Sequence, residues 1–352
     1  MTIQNAMSFH NLLASLVLLV SSSAAVAHAA DAPQEAPPIR VGIIGLDAHA
    51  VPFTQILTNP KTDAAIRVMQ VVAAVPAFSS DIPFSADNIQ KNRESMLAMG
   101  VELVDTVEAM LPKVDAVMLL SIDGRTHLAQ AKPVFAAKKP VFIDKPVAAS
   151  LADIVRIFDL AEKSGTPCFS NSSLRYSPGI AAMRGDPRVG SVLGCDAYGP
   201  NSPIEASHPD LFYYGIHGCE LLFTIMGPGC KTVSRVKSPT ADLAAGVWED
   251  GRLGTFRGIL KGQSGFGATV FGDKGIAPSG PFAGYEPLLL EIAKFFETKK
   301  PPFSAAETLE IYAFMEGADE SKRQGGIPVT LESVLDRARK AAAADPTGAA
   351  PK

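Results

Sequence analysis

The chain has 352 residues, 47% of them hydrophobic and 19% charged, a globular composition with room for two ordinary domains. Neither a fibrous fold nor extended disorder fits it. A formal net charge of −4 and a pI near 5.9 leave no surplus of Lys and Arg to neutralise a run of phosphates, which speaks against a nucleic-acid partner.

Residues 1–30 contain no Lys, Arg, Asp or Glu and hold the apolar run "LLASLVLLV" (Leu12–Val20). Ala27, His28 and Ala29 then form an A-x-A-like cleavage site, so residues 1–30 read as a signal peptide and the protein as periplasmic or secreted. An uncleaved anchor is the other reading, although the run is shorter than the roughly 20 apolar residues of a comfortable span. Cleavage leaves no stable membrane span. No twin-arginine pair precedes the run, so export is expected in the unfolded state, and any nucleotide is then acquired outside the cytoplasm. Residues 31–38, "DAPQEAPP", read as a Pro-rich linker.

From Ile39 onward, "IRVGIIG", "VMQVVAAV", "VELV", "VDAVMLL" and "PVFI" alternate with helix-like stretches. Nearly continuous apolar strands joined by helices predict an α/β domain over 39–146, a Rossmann-like doubly wound parallel sheet. After Pro146 a helix, "SLADIVRIFDLAEKSG", leads to shorter strands punctuated by glycine, such as "GSVLGCDAYG" and "GATVFGDKG". Residues 147–340 are therefore expected to form an α+β domain with a mainly antiparallel open sheet. Residues 341–352 read as a disordered tail. Cys168, Cys195, Cys219 and Cys230 show neither a CxxC pair nor a dense framework, and are expected as buried free thiols.

The first strand ends in "GIIGLDAHA". A dinucleotide turn asks for G-x-G-x-x-G/A, and Gly45, Asp47 and Ala50 fill those places. Asp47 sets a side chain and a negative charge where two phosphates would approach a helix N-terminus. Two readings stand: an altered cofactor loop, or Asp47 as the N-cap of the following helix. The second strand runs into Ala74, Val75, Pro76 and Ala77, without the acid that reads a ribose or the base that reads a 2′-phosphate.

"KKPVFIDKP" delivers Asp144 and Lys145 to a strand's C-terminal end, the ligand edge of an open α/β sheet. His217 and Glu220 lie three apart on a predicted helix, so they share a face and are expected to pair. A surface lysine beside an acid, and a satisfied core histidine, are the structural readings of Lys145 and His217. His49, His127 and Asp47 match no metal-ligand spacing, and no metal is expected.

With "SIDGRTHLAQAKPVFAAKKPVFIDKP", "SNSSLRYSP", "YGIHGCELLFTIMG" and the C-terminal helices "EIAKFFETKKPPFSAAETLEIYAFMEGADESKRQGG", the chain resembles the Gfo/Idh/MocA oxidoreductases over nearly all of Ile39–Leu331. Lys145 matches the lysine of that family's E-K-P motif, with Asp144 replacing Glu, and the position four residues before His217, often Asp in relatives, is Tyr213. The resemblance implies hydride transfer between NAD or NADP and a sugar or polyol hydroxyl. It places Gly45, Leu46, Asp47, Ala48, Ser121, His127, Asp144 and Lys145 at the cofactor, and Lys145, His217 and Glu220 in catalysis. Arg175, Tyr176, Tyr213 and Tyr214 would line the substrate cleft, and a homo-oligomer is implied. Two other readings remain: a non-redox carbohydrate-binding protein that has lost its nucleotide, and redox-assisted glycoside cleavage with retained NAD.

Overall fold

In the computed structural model, residues 37–203 and 205–348 are described. The expected signal peptide, most of the linker and the last four residues fall outside them. Among the described residues no helix is long and apolar enough to cross a membrane.

The first sheet grows from the alternation seen in the sequence. Strands β1 (Ile39–Ile44), β2 (Met69–Val75), β3 (Glu102–Leu103), β4 (Ala116–Leu119), β5 (Val141–Ile143) and β6 (Cys168–Phe169) all run parallel in the order β3-β2-β1-β4-β5-β6. Helices α1 (Ala50–Thr58), α2 (Pro83–Ala98), α3 (Val107–Met110), α4 (Gly124–Ala136) and α5 (Leu151–Ser164) make the crossovers. β1 pairs with both β2 and β4, so the strand order reverses there and a crevice opens beyond their carboxyl ends. This is a Rossmann-like sheet. It extends past the expected boundary at residue 146, because β6 pairs with β5 and completes the edge.

Gly45 turns the chain at this switch point with φ of +88°. A Cβ there would stand 2.5 Å from the Ser121 amide nitrogen, so the residue must be glycine for β1 to close against the end of β4. Its backbone is further fixed by the Gly45 amide donating to Val75 O at 3.0 Å.

After α6 (Pro178–Ala181), the second sheet comprises β7 (Val192–Pro200), β8 (Cys230–Lys237), β9 (Ala241–Trp248), β10 (Leu253–Ile259), β11 (Gly267–Gly272), β12 (Ile276–Pro278) and β13 (Val329–Thr330). Its order is β12-β11-β7-β10-β9-β8-β13, antiparallel throughout except for the parallel β7·β10 pair. One face is covered by α7 (Ile216–Met226) and α9 (Ala305–Arg323). Gly218 lets α7 lie against the sheet, since a Cβ there would clash with the Phe256 ring. The neighbouring His217 is thereby set at a fixed height over β10.

Helix α8 (Glu286–Thr298) returns to the first sheet, where Leu289, Ile292 and Phe295 join Val41, Ile43 and Phe142 in one core. The last helix, α10 (Leu331–Ala344), passes the point at which the sequence suggested a tail. Arg156 holds its end by donating from Nε to Asp345 O at 2.6 Å. All four cysteines are buried and free, as their spacing suggested.

Candidate active site

The carboxyl ends of β1, β4 and β5 face the loops of the second sheet across a cavity of about 460 Å³. Ala48, His49, Ile122 and Lys145 line it from the first sheet. Tyr213, Tyr214, His217 and Phe266 line it from the second, with Phe84, Phe282 and Tyr285 completing an aromatic rim. Pockets of this size commonly hold small molecules through apolar walls and a few polar groups.

Lys145 follows β5 and is 5% exposed. Its Nζ lies 5.7 Å from the Tyr214 ring centroid and 6.0 Å from that of Tyr213, and it makes no hydrogen bond or ion pair among the described residues. Burial pulls its pKa below the ordinary 10.5, with the Asp144 charge acting in the opposite sense. Asp144 is turned away from the cavity. Its Oδ2 accepts from His49 Nδ1 at 2.5 Å, and its Oδ1 accepts the Lys145 amide at 2.8 Å. Burial works against this carboxylate, but His49 and Lys145 hold its pKa below the ordinary 3.8. The His49 ring stacks on Phe53 at 5.1 Å, which fixes its orientation. Nothing in the sequence around His49 marks this role, because its acid partner is supplied 95 residues away.

His217 shares a 2.7 Å hydrogen bond with Ser172 Oγ through Nδ1 and packs edge-on to Tyr214 and Phe266. Burial, together with Lys145 and His49, holds its pKa well below 6.5, so the imidazole is neutral near pH 7. Nε2 is left for the cavity. The expected His217–Glu220 pair does not form. Glu220 instead accepts from Arg175 Nε at 3.0 Å and from Asn171 Nδ2 at 3.0 Å. Arg175 also binds Glu307 at 2.6 Å and lies 4.4 Å over Phe303. Tyr176 donates to Asn171 Oδ1 at 2.6 Å. Glu220, Arg175 and Tyr176 thus form a closed polar network behind the cavity, not on its wall. The three-residue spacing set a helix face correctly, but a buried guanidinium is the stronger partner for a buried carboxylate.

The residues expected at the cofactor divide in the same way. Ala48, His49's neighbour, and Lys145 line the cavity, whereas Leu46 is buried in the first core. His127 is fully buried, with Nε2 2.7 Å from Ser121 O and Nδ1 3.1 Å from Val147 O. It braces the ends of β4 and β5. Ser121 donates to Gln130 Oε1 at 3.0 Å. Asp47 does not cap α1: the N-cap is His49, with no side-chain bond. Asp47 Oδ1 accepts from Ser85 Oγ at 2.6 Å and Oδ2 from the Ile122 amide at 2.9 Å. It spans from the first turn to α2 and to the loop after β4, because those groups close over it in the folded chain. Burial raises its pKa above 3.8, partly offset by these two donors.

The fold is a Rossmann-like parallel sheet followed by a second, mainly antiparallel sheet, with the cavity at the carboxyl ends of the parallel strands. Residues 39–172 match the GFO_IDH_MocA model, described as an oxidoreductase family with an NAD-binding Rossmann fold. No curated protein matches the sequence. Among solved structures, a probable dehydrogenase from Thermotoga maritima is similar at 19% identity and a TM-score of 0.71, covering 84% of this chain and 100% of that one. A putative myo-inositol dehydrogenase from Sinorhizobium meliloti 1021 has 17% identity and a TM-score of 0.67, covering 83% and 99%. The scyllo-inositol dehydrogenase from Lactobacillus casei, solved with NAD(H) and scyllo-inositol, has 15% identity and a TM-score of 0.66, covering 84% and 99%. At these identities the likeness is one of fold.

The crevice suits the two ends of a nicotinamide dinucleotide unequally. At the start of α1 the N-cap His49 makes no side-chain bond to the first turn, and a helix N-terminus with amides left uncapped fits the phosphates. The wall from Ala48 to Lys145 continues from there. At the adenosine end β2 runs into Pro76 and Ala77 without a ribose-reading acid. There the loops are tied together, by Asp47 as above, by Ser79 Oγ donating to Asp123 Oδ2 at 2.6 Å, and by Arg125 bridging Asp123 and Asp81, each at 2.7 Å. The residues present fit the phosphates and the nicotinamide, and at the adenosine end they would offer tied loops and no acid to read a ribose.

Proposed function

We propose that this protein is an oxidoreductase acting at a hydroxyl-bearing carbon of a sugar or polyol, with NAD or NADP as its nucleotide. The observation that carries this reading is the meeting of Lys145 Nζ, the neutral His217 imidazole and Tyr214 on one cavity wall, at the carboxyl ends of the parallel strands. The Ala48 and His49 amides would hold the phosphates, and the nucleotide when bound supplies the hydride acceptor. Lys145 orients the substrate oxygen. His217 Nε2 accepts the hydroxyl proton, which a neutral imidazole held by Ser172 can do. The Tyr214 and Phe266 rings bracket His217 and limit water at that proton.

Titrating NAD and NADP into the purified protein by calorimetry, followed by assay of candidate polyols for nucleotide reduction, tests the reading. Failure to bind either nucleotide at about millimolar concentration, a free energy of only about −4 kcal/mol, overturns it. A second reading, carbohydrate binding without redox chemistry, is favoured by the ties at Asp47 and Asp123, which close the adenosine end. That protein would bind sugar and no nucleotide.

The apolar run Leu12–Val20 and the A-x-A site support placement in the periplasm or outside the cell. The uncovered face of the second sheet exposes Leu193, Tyr198, Val236, Val247, Leu253 and Ile276, which supports pairing of copies through that face.

A further inference from the structure

Lys145 carries a burial cost that only the Asp144 charge and the Tyr213 and Tyr214 rings oppose, with no direct partner on its ammonium. Its ammonium is buried, opens onto the cavity, and has neither an ion pair nor a hydrogen bond among the described residues. Its nearest acid, Asp144, is engaged by His49 Nδ1 and by the Lys145 amide and does not line the cavity. An ammonium taken out of water in this way is stabilised by a partner that arrives with the opposite charge.

The rest of the wall points the same way. Among the described residues, no Asp, Glu, Asn or Gln lines the cavity. Neutral sugars present many hydroxyl donors and are ordinarily met by such acceptors, because a buried donor without one loses its hydrogen bond to water. Here the polar groups are the Lys145 ammonium, the hydroxyls of Ser173, Tyr213, Tyr214 and Tyr285, and two imidazoles. The hydroxyls and imidazoles can each accept or donate, so the one fixed charge the wall presents is the Lys145 ammonium.

We infer that the ligand of this cavity carries a carboxylate that pairs with Lys145, and that it is a sugar acid of the uronate or aldonate class. The aromatic rings of the wall take the apolar face of the carbon skeleton, and the hydroxyl beside His217 remains the reacting group. The inference rests on the sugar or polyol reading above and narrows its substrate.

Calorimetry on the purified protein with matched pairs tests it: glucuronate against glucose, galacturonate against galactose, and gluconate against glucitol. The acid of at least one pair is expected to bind about tenfold or more tighter, and the preference should shrink as salt rises from about 0.05 M to about 0.5 M. Lys145→Met should lower the affinity of the acid far more than that of its neutral partner, and so remove the preference. The salt series on the unaltered protein stands by itself if that variant does not fold. Equal or tighter binding of every neutral partner, or no binding by any acid, overturns the inference. Nucleotide-linked oxidation of neutral polyols without acid preference would remove the inference and keep the function. Acid binding without nucleotide binding would do the reverse.

Discussion

Asp47 Oδ2 accepts the Ile122 amide at 2.9 Å, across 75 residues of sequence, so a side chain from the first βα turn is bolted to the loop after β4. The second oxygen holds Ser85 on α2. Asp47→Gly removes both bonds and is expected to cost about 1–3 kcal/mol of stability, read by chemical denaturation. The same change loosens the adenosine end, and NAD should bind several-fold more tightly in a calorimetric titration. Lost stability with unchanged NAD affinity would make Asp47 a tie between loops with no bearing on the nucleotide.

His217 and Glu220 make separable predictions. His217→Gln should lower kcat by about a hundredfold or more, the scale of a lost general base, with little change in melting temperature. Glu220→Gln should reduce stability and leave the pH profile of kcat in place, since Glu220 touches Arg175 and Asn171 rather than His217. A shifted pH profile in Glu220→Gln would restore it to the proton path.

Arg175 sits between Glu220 and Glu307. Arg175→Leu leaves two carboxylates facing each other with no cation and is expected to destabilise the fold by about 3–5 kcal/mol. A denaturation midpoint close to the parent's would show that the network contributes little. Triple replacement of Arg175, Glu220 and Glu307 by apolar residues should recover much of the loss.

His208 gives the pH dependence. The Gly124 amide donates to its Nε2 at 3.0 Å, and burial holds its pKa down at about 4, with Asp123 opposing. The folded pKa lies below the ordinary 6.5, so between those values the unfolded chain binds the extra proton and stability falls as the solution is acidified. The loss from this residue reaches up to about 3 kcal/mol near pH 4 and then levels off. His208→Gln, whose amide oxygen can accept the same bond, should flatten that part of the melting-temperature curve. An unchanged slope would place the titration elsewhere.

The uncovered sheet face predicts an oligomer in solution. Light scattering after size exclusion should give a dimer or tetramer, and Leu253→Lys with Tyr198→Lys should shift it toward the monomer. A strictly monomeric parent protein would remove that surface as an interface.

The site was legible in the sequence only in part. "FIDKP" placed Lys145 at a strand end because a buried strand followed by a turn is a local pattern, and "YGIHG" placed His217 on a helix for the same reason. Arg175 and Tyr176 follow the sheet-edge strand as expected, but they turn behind the cavity, because the buried Glu220 draws the guanidinium inward. His49, Phe282 and Tyr285 were missed as cavity residues. Nothing in their local sequence marks them, and they meet only when α1 and the loop before α8 pack together.

What the sequence determined by itself is the alternation of buried strands and helices, hence the parallel sheet, the Gly45 turn and the strand end that carries Lys145. These follow from short-range periodicity and from backbone limits that each residue carries with it. Only the tertiary structure decided whom the buried charges face: Asp47 toward Ile122 and Ser85, Asp144 toward His49, Glu220 toward Arg175, and Lys145 toward an open cavity. The physical reason is that a buried charge takes whichever partner the fold brings within hydrogen-bond reach, and these partners lie 38 to 95 residues away.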